Sequence, residues 1–265
     1  MTGLALDGRI ALVSGAAGGG CGSAVALRLA DLGATVVANG LPRQADALGE
    51  LAARHPRIRP AVADVGDEQA VTALFEELAA TTGHPGIVVH NAAPSLAPVA
   101  VSALGTGQWR AELGTILDGA FHLARAAAPA MTGAGWGRFV FVSSSAAFRG
   151  ARGRSAAYAA GKAALHGLAV QLALELGPGG VTANVIAPSQ IDTARARRGG
   201  RRDDGSMARS AGLVPLGRVG LPGDVAGLAA FLAGDESSYL TGQVIRLDGG
   251  SALAAPQTAL KGALR

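Results

Sequence analysis

Several features that would place a protein in other classes are missing from this sequence. Its single cysteine, Cys21, cannot form an internal disulfide, which is compatible with the cytoplasm. Because it has no run of about eighteen uncharged apolar residues, and no basic N-terminal region followed by an apolar core, we expect neither a membrane span nor a signal peptide. No metal-ligand cluster, internal repeat or linker is evident. With 49% hydrophobic residues, the sequence predicts a single domain over residues 1–265.

The first apolar segment is followed by a glycine-rich loop. Residues 9–14 are typical of a buried parallel strand, and residues 24–30 have a helical pattern. Between them lie Gly15, Gly18, Gly19, Gly20 and Gly22. Glycines let the backbone turn sharply and approach a pyrophosphate, whose negative charge is stabilised by a helix N-terminus. The order of strand, loop and helix therefore predicts a dinucleotide-binding site.

Further apolar segments alternate with amphipathic segments along the chain. The predicted strands are residues 35–38, 58–63, 87–90, 139–142, 181–186 and 243–247. This alternation predicts an α/β fold in which a doubly wound parallel sheet of about seven strands is flanked by helices.

Tyr158 and Lys162 are the strongest candidates for catalysis. In a helix over residues 156–176 they would project side by side, because positions i and i+4 share one face. A fixed ammonium stabilises a neighbouring phenolate and so prepares the phenol for proton transfer. A serine hydroxyl from Ser143, Ser144 or Ser145 could hold the oxygen of a substrate carbonyl or alcohol.

These residues resemble the short-chain dehydrogenase/reductase family from about Leu6 to Ala252. The matching motifs are the glycine loop, Asp64-Val65, Asn91-Ala92, a serine before Tyr158 and Lys162, residues 184–193 and residues 240–250. The resemblance implies a Rossmann fold. It also implies an NAD(P)-dependent oxidoreductase that transfers a hydride between the nicotinamide and a carbonyl or secondary alcohol, in a ketoreductase-type step of biosynthesis.

The resemblance also implies roles for individual residues. Tyr158 would be the general acid or base, Lys162 would favour its phenolate and bind the nicotinamide ribose, and Ser144 would position the reacting oxygen, with Ser145 as the alternative. The other implied cofactor contacts are Gly15, Gly20, Gly22, Asp64, Val65, Asn91, Ala92, Pro188, Ile191 and Thr193. Asp64, Asn91 and Thr193 could instead cap the end of a helix or strand.

The chain departs from the family pattern at two positions that matter for function. The glycine loop is one residue longer if Gly20 and Gly22 are the paired glycines, whereas Cys21 takes the last position if Gly19 is the middle one. Ile116 replaces an asparagine that usually anchors a water in the proton relay, so the relay would run through Thr115 or Asp118, or be weaker. These departures leave two rival functions. One is a non-redox isomerisation, cyclisation or dehydration with Tyr158 as acid, and the other is a dinucleotide sensor without turnover.

The segment after the second predicted strand bears on the choice of cofactor. An acid at this place binds the ribose 2′-hydroxyl of NAD, and a basic group accommodates the 2′-phosphate of NADP. Within this segment, which begins at Val36, no acidic residue occurs before Asp46. Arg43 could reach a 2′-phosphate, although it could also be a solvated loop residue. The segment therefore favours NADP over NAD.

The basic residues concentrate near the predicted opening of the site. They include Arg195, Arg197, Arg198, Arg201, Arg202 and Arg209, in a segment at about 193–215 where the resemblance places a mobile substrate lid, together with Arg149, Arg152 and Arg154. They form either a solvated loop or a capture site for an anionic small-molecule substrate, such as a carboxylate or a carrier-bound phosphopantetheine. Nucleic acid is not an expected partner, because the basic residues do not follow a helix that could enter a groove. The helices around residues 109–130 and 156–176 carry many Ala and Leu residues on faces that a single sheet cannot fully cover. The resemblance implies that these helices pair between subunits, so we expect a homotetramer or homodimer.

Overall fold

Seven parallel strands form the centre of the structure, a computed structural model that describes residues 5–94, 96–151, 153–194, 197 and 204–253. The strands are β1 (Ile10–Ser14), β2 (Thr35–Gly40), β3 (Ile58–Val62), β4 (Ile87–His90), β5 (Gly137–Val142), β6 (Val181–Pro188) and β7 (Val244–Leu247). Their spatial order is β3-β2-β1-β4-β5-β6-β7. The predicted doubly wound parallel sheet is confirmed.

Helices connect the strands. They are α1 (Cys21–Asp31), α2 (Ala45–Ala53), α3 (Glu68–Thr81), α4 (Thr106–Leu113), α5 (Gly119–Gly133), α6 (Ala146–Arg149), α7 (Ala156–Leu176), α8 (Asp204–Ala211) and α9 (Pro222–Ala233). A π-helical segment, Gly114–Asp118, joins α4 to α5, and short 3-10 helices include Pro42–Gln44. No helix in the described part of the chain is both long and apolar enough to cross a membrane.

Two hydrophobic clusters cover the two faces of the sheet. Apolar residues of α1, α2 and α9 pack on one face, and those of α3, α5 and α7 pack on the other. Because both faces are covered, every residue of β4, β5 and β6 is buried, which explains their nearly continuous apolar sequences.

Most strands were predicted with ends one or two residues away from those observed. The strand β2 extends beyond Ala38 because Asn39 and Gly40 pair with Ala61 and Val62 of β3. The apolar pattern could not predict this extension, because it depends on hydrogen bonds between distant segments.

The order of the strands reverses between β1 and its neighbour β4. The chain leaves β1 towards β2 and β3 on one side, and continues from β4 towards β5, β6 and β7 on the other. The connections at the carboxyl ends of these strands therefore diverge and leave a crevice, which is where ligands bind in folds of this type.

Candidate active site

A cleft of about 730 Å³ lies at the carboxyl ends of the strands. The structure brings all the predicted site residues to its walls, although they come from segments spread over most of the chain. They are Gly15, Gly20, Gly22, Arg43, Asp64, Val65, Asn91, Ala92, Ser144, Tyr158, Lys162, Pro188, Ile191 and Thr193.

The glycine loop forms the wall between β1 and α1. Gly15 has a φ of +64°, and a Cβ atom there would lie 2.8 Å from the Cα of Ala92. At Gly22, a Cβ atom would overlap the carbonyl oxygen of Gly15 and lie 2.7 Å from Nδ2 of Asn91. Both positions therefore require glycine. The extra residue lies in the loop, because Gly22, and not Cys21, makes the close contact between helix and strand.

Helix α1 begins at Cys21, with Gly20 as its N-cap. Gly20 has no side chain that could cap the helix, so the N-terminus presents amide hydrogens to an anion in the cleft. Cys21 also lines the cleft, but burial raises the pKa of its thiol to about 11. Cys21 is therefore a protonated, weakly reactive side chain in the wall of the site.

Tyr158 and Lys162 lie on α7, which spans the predicted range. The Nζ atom of Lys162 lies 6.0 Å from the centre of the Tyr158 ring and donates a 2.6 Å hydrogen bond to the carbonyl oxygen of Val142. Burial lowers the pKa of Lys162 to about 7, and the nearby charge of Arg154 acts in the same direction. The ammonium has two further N–H donors, which leaves it able to bind a ribose hydroxyl as well as Val142.

The three consecutive serines have different positions after β5. The hydroxyl of Ser143 donates to the carbonyl oxygen of Lys162 at 2.7 Å and is buried against α7. Ser144 lines the cleft together with Tyr158. Ser145 precedes α6, and its amide donates to the carbonyl oxygen of Pro188. The geometry therefore favours Ser144 over Ser145 as the serine that contacts substrate.

A buried network that the sequence did not predict links the glycine loop to the π-helical segment. Nε2 of His90 lies 3.0 Å from the carbonyl oxygen of Ile116, and Nδ1 lies 2.9 Å from the hydroxyl oxygen of Ser14. Because a carbonyl oxygen only accepts, Nε2 carries the hydrogen and the Ser14 hydroxyl donates to Nδ1. The same hydroxyl accepts from the amides of Asn91 and Ala92, at 3.1 and 3.2 Å. All of its hydrogen-bonding capacity is therefore used.

This network explains what stands in place of the expected asparagine. The backbone of Ile116 is held by His90, and its side chain packs against α7, where a Cβ atom on Gly161 would lie 3.2 Å from Cγ2 of Ile116. Of the two polar residues suggested for the relay, Thr115 lines the cleft, whereas Asp118 is not among the residues of its walls. The only sequence signal for this network was the histidine at the end of an apolar strand.

The network predicts a specific loss of stability in acid. Burial lowers the pKa of His90 to about 3, and the charge of Lys162 contributes in the same direction. The unfolded chain therefore binds a proton near pH 6.5 that the folded chain excludes, and the stabilisation present above pH 6.5 is lost as pH falls. Between pH 7 and pH 5 this group should remove about 2 kcal/mol from the free energy of unfolding.

Urea unfolding of the wild type and of His90→Gln at both pH values tests this expectation. Between pH 7 and pH 5, the free energy of unfolding of His90→Gln should fall by about 2 kcal/mol less than that of the wild type. His84→Gln, which changes an exposed histidine, should behave as the wild type does. Equal losses in the wild type and His90→Gln would contradict a neutral, buried His90.

The alternative capping roles can be compared with the observed contacts. Helix α3 is capped by Asp67, whose side chain accepts from the amides of Gln69 and Ala70, so Asp64 is not the N-cap. Asp64 is exposed at the cleft and accepts only from the amide of Gly66 among the hydrogen bonds described for its side chain.

Asn91 ties β4 to the glycine loop. Its side-chain amide donates to the carbonyl oxygen of Gly15 at 3.0 Å. The carbonyl oxygen of Thr193 accepts from the amide of Arg197. Both Asn91 and Thr193 also line the cleft, so these backbone contacts and a role in binding are compatible.

A second unpredicted contact supports the start of α7. Ser155 is the N-cap of this helix and accepts from the amide of Tyr158 at 3.0 Å. Its hydroxyl donates to the carboxylate of Glu112 at 2.6 Å, and Glu112 is buried. The pair holds the first turn of α7 against α4. Nothing in the sequence connects two residues so far apart in the chain.

The arginines near the opening differ in their surroundings. Arg197 forms an ion pair with Asp192, and Arg149 donates to the hydroxyl of Ser189. Arg154 lines the cleft, and Arg209 is exposed on α8. The remaining arginines lie outside the described residues: Arg152, Arg195, Arg198, Arg201 and Arg202. The predicted lid at 193–215 is described only in part and stays a prediction.

The residues present fit a dinucleotide. The positions of Gly15 and Gly22 allow close backbone approach, the uncapped N-terminus of α1 faces the cleft, and Asp64 presents a carboxylate at its surface. The family model described as "Enoyl-(Acyl carrier protein) reductase" matches residues 15–252. The chain belongs to the short-chain dehydrogenase/reductase family. It is an NAD(P)-dependent oxidoreductase that acts on a carbonyl or secondary alcohol.

Similar proteins include curated relatives and solved structures. The 3-oxoacyl-(acyl-carrier-protein) reductase FabG of Pseudomonas aeruginosa is 34% identical over 252 residues, which are 93% of this chain and 98% of the relative. The acetoacetyl-CoA reductase of Allochromatium vinosum is 35% identical over 91% of this chain and 98% of its own. A gluconate 5-dehydrogenase from Burkholderia cenocepacia, solved with NADP and tartrate, has a TM-score of 0.85 at 30% identity, over 95% of this chain and 98% of its own.

Proposed function

We propose that the protein is an NADPH-dependent ketoreductase in which Tyr158 donates the proton. The observation that carries this proposal is the meeting of Ser144, Tyr158 and Lys162 in the cleft that the glycine loop also lines. Bound NADPH would supply the hydride that adds to the carbonyl carbon. The protein must then deliver one proton to the carbonyl oxygen.

The roles of the three side chains follow from their positions. The Ser144 hydroxyl lines the same cleft as Tyr158 and accepts from the amide of Ala146, so its hydrogen can be donated to the substrate oxygen. The phenol transfers its proton as negative charge develops on that oxygen. Lys162 is held by Val142 and partly protonated near neutrality, so it stabilises the phenolate that remains.

Two residues near the end of β2 support a preference for NADP. Asn39 stands at the end of this strand, where an acid would bind the 2′-hydroxyl of NAD, and its amide donates to the carbonyl oxygen of Ala63 at 3.1 Å. Arg43 lies in the 3-10 helix that follows and lines the cleft. With an arginine and no carboxylate at this place, the cleft favours a 2′-phosphate.

Replacing Arg43 by alanine should raise the dissociation constant of NADPH by about 10- to 100-fold, because one or two charge-assisted hydrogen bonds are lost. The dissociation constant of NADH, which lacks the 2′-phosphate, should stay unchanged. Nicotinamide fluorescence titrations measure both values. Arg54→Ala, an exposed arginine at the end of α2 that does not line the cleft, is the matched control. Equal weakening of NADH and NADPH would contradict the assignment.

The relatives suggest two kinds of substrate. Some act on acyl groups carried by acyl carrier protein or coenzyme A, and the structural relative named above is a gluconate dehydrogenase. We propose a ketone that carries an anionic group, either as its own carboxylate or on a carrier arm. Arg154, which lines the cleft, supports an anion there. Arg197 supports it less, because its charge faces Asp192.

We also propose a cytoplasmic homo-oligomer. Large apolar side chains are exposed on the two helices predicted to pair, Phe121 on α5 and Val170 and Leu174 on α7. Burial of such residues against a second copy would remove them from water.

Purified protein incubated with NADPH and a panel of ketones tests the proposed function. We expect NADPH to bind and its fluorescence to disappear only when a ketone is present, with formation of one alcohol per NADPH consumed. Binding without consumption across the panel would favour a dinucleotide sensor. Conversion of a ketone without consumption of NADPH would favour a non-redox reaction.

A further inference from the structure

We propose that Arg154 binds a carboxylate of the substrate itself, so that the enzyme acts on small oxo acids and not on carrier-bound thioesters. This inference rests on the proposed ketoreductase function. It begins from the position of the guanidinium, whose Cζ atom lies 4.6 Å from the centre of the Tyr158 ring. Arg154 is exposed and lines the cleft.

The charge of Arg154 has no counterpart within the described part of the protein. No carboxylate among the described residues forms an ion pair with Arg154. Arg197, Arg125 and Arg218, by contrast, each form an ion pair with an aspartate or glutamate. Among the described residues of the cleft, Asp64 is the one carboxylate. It follows β3, which is an edge strand, whereas α7 packs on β6, near the opposite edge of the sheet. The half of the cleft that contains Tyr158 is therefore lined by positive charge.

The other basic residues of the cleft are already assigned. Arg43 stands beyond β2, where the ribose phosphate is proposed to bind, and Lys162 is buried with its Nζ atom bonded to Val142. Arg154 alone, among the described basic residues of the cleft, is both exposed and next to the proton donor. Its repulsion of Lys162, which lowers the pKa of that ammonium, would be relieved by an anion bound between them.

The short distance between Arg154 and Tyr158 selects the kind of anion. A carboxylate bound by the guanidinium through hydrogen bonds of about 2.7–2.9 Å lies a few ångströms from the carbonyl that receives the proton. In a small oxo acid, only a few bonds separate these two groups. In a phosphopantetheine thioester, the phosphate is many bonds from the carbonyl, so it cannot reach Arg154 while the carbonyl is at Tyr158. The geometry therefore fits the carboxylate of a small oxo acid.

The test compares 2-, 3- and 5-oxo acids with their methyl esters, which have the same reacting ketone and no charge. We expect the wild type to have a higher kcat/KM for the acid of at least one pair. Arg154→Met should lower kcat/KM for that acid by about 30-fold or more, mainly through KM, because a charge-assisted bidentate interaction is lost. It should leave the ester and the dissociation constant of NADPH unchanged. Arg110→Met, which changes an exposed arginine of α4 that does not line the cleft, should match the wild type.

The outcomes separate this inference from the proposed function. Reduction of esters with no preference for acids would keep the ketoreductase and overturn the role of Arg154. Equal losses for acid and ester in Arg154→Met would also overturn it, because they would mean that the arginine only positions Tyr158. If no pair is reduced but acetoacetyl-CoA is, the ketoreductase stands and the inference is overturned. If neither the pairs nor acetoacetyl-CoA are reduced, the proposed function fails. Calorimetric binding of 3-hydroxybutyrate to the NADP⁺ complex then tests Arg154 directly, and absent or equal binding in wild type and Arg154→Met would overturn the inference.

Discussion

Replacing Tyr158 by phenylalanine is expected to lower kcat for ketone reduction by about 10³-fold, within the usual range for loss of a general acid. The ring keeps its volume and its packing beside Arg154, whose guanidinium lies over it. Only the hydroxyl that supplies the proton is removed. NADPH should therefore bind as it does to the wild type. Rapid mixing of the NADPH complex with ketone, followed by nicotinamide absorbance, measures the hydride-transfer rate directly.

The chain offers a matched control, because it contains only two tyrosines. Tyr239 is fully exposed and is not among the residues that line the cleft, so Tyr239→Phe should have wild-type kinetics. Ser144→Ala should also slow the reaction, but less, because the phenol remains. A Tyr158→Phe variant that reduces ketones within about tenfold of the wild-type rate would show that another group donates the proton.

Replacing Gly22 by alanine is expected to weaken NADPH binding by about 100-fold or more. The added Cβ atom would overlap the carbonyl oxygen of Gly15 and crowd Nδ2 of Asn91, so the loop and the start of α1 must move apart. The amides proposed to bind the pyrophosphate would move with them, and each charge-assisted hydrogen bond lost would cost about 1.5–3 kcal/mol. The free energy of unfolding of the protein without cofactor should also fall, because the added Cβ atom meets the backbone carbonyl of Gly15, which cannot move aside as a flexible side chain could.

Two further glycine variants separate the causes. At Gly49, in helix α2 and outside the cleft, a Cβ atom meets nothing within 4 Å, so Gly49→Ala should leave NADPH binding unchanged and slightly stabilise the protein. At Gly20 a Cβ atom meets no protein atom either, but this residue lines the cleft. Gly20→Ala should therefore weaken NADPH binding while lowering the free energy of unfolding only by the small cost of alanine at an N-cap, less than Gly22→Ala does. Normal NADPH binding in Gly22→Ala would contradict the expectation that the close packing of Gly22 on Gly15 and Asn91 shapes the NADPH site.

The sequence alone predicted the order of strands and helices, because burial on both faces of a parallel sheet requires continuous apolar segments such as residues 139–142. It also predicted the range of α7, and with it the pair Tyr158 and Lys162, because helical spacing is a local property. The glycine loop was also predicted as a dinucleotide site from local sequence, because its position between a strand and a helix is visible along the chain.

The tertiary structure decided the contacts between segments that are distant in the sequence. The spacing of the glycines left the alignment of the loop open, and the close approach of Gly22 to Gly15 and Asn91 favours one alignment. Three adjacent serines were equivalent in sequence, and the turn after β5 directs only Ser143 and Ser144 to the cleft walls.

The replacement of the expected asparagine by Ile116 was recognisable in the sequence, but its consequence was not. The imidazole of His90 reaches the carbonyl of Ile116 across 26 residues of chain, and the hydroxyl of Ser14 completes the network across 76. Local patterns record which residues follow one another and which face of an element is apolar. Hydrogen bonds between buried polar side chains depend instead on how strands and helices pack, so only the folded structure could determine them.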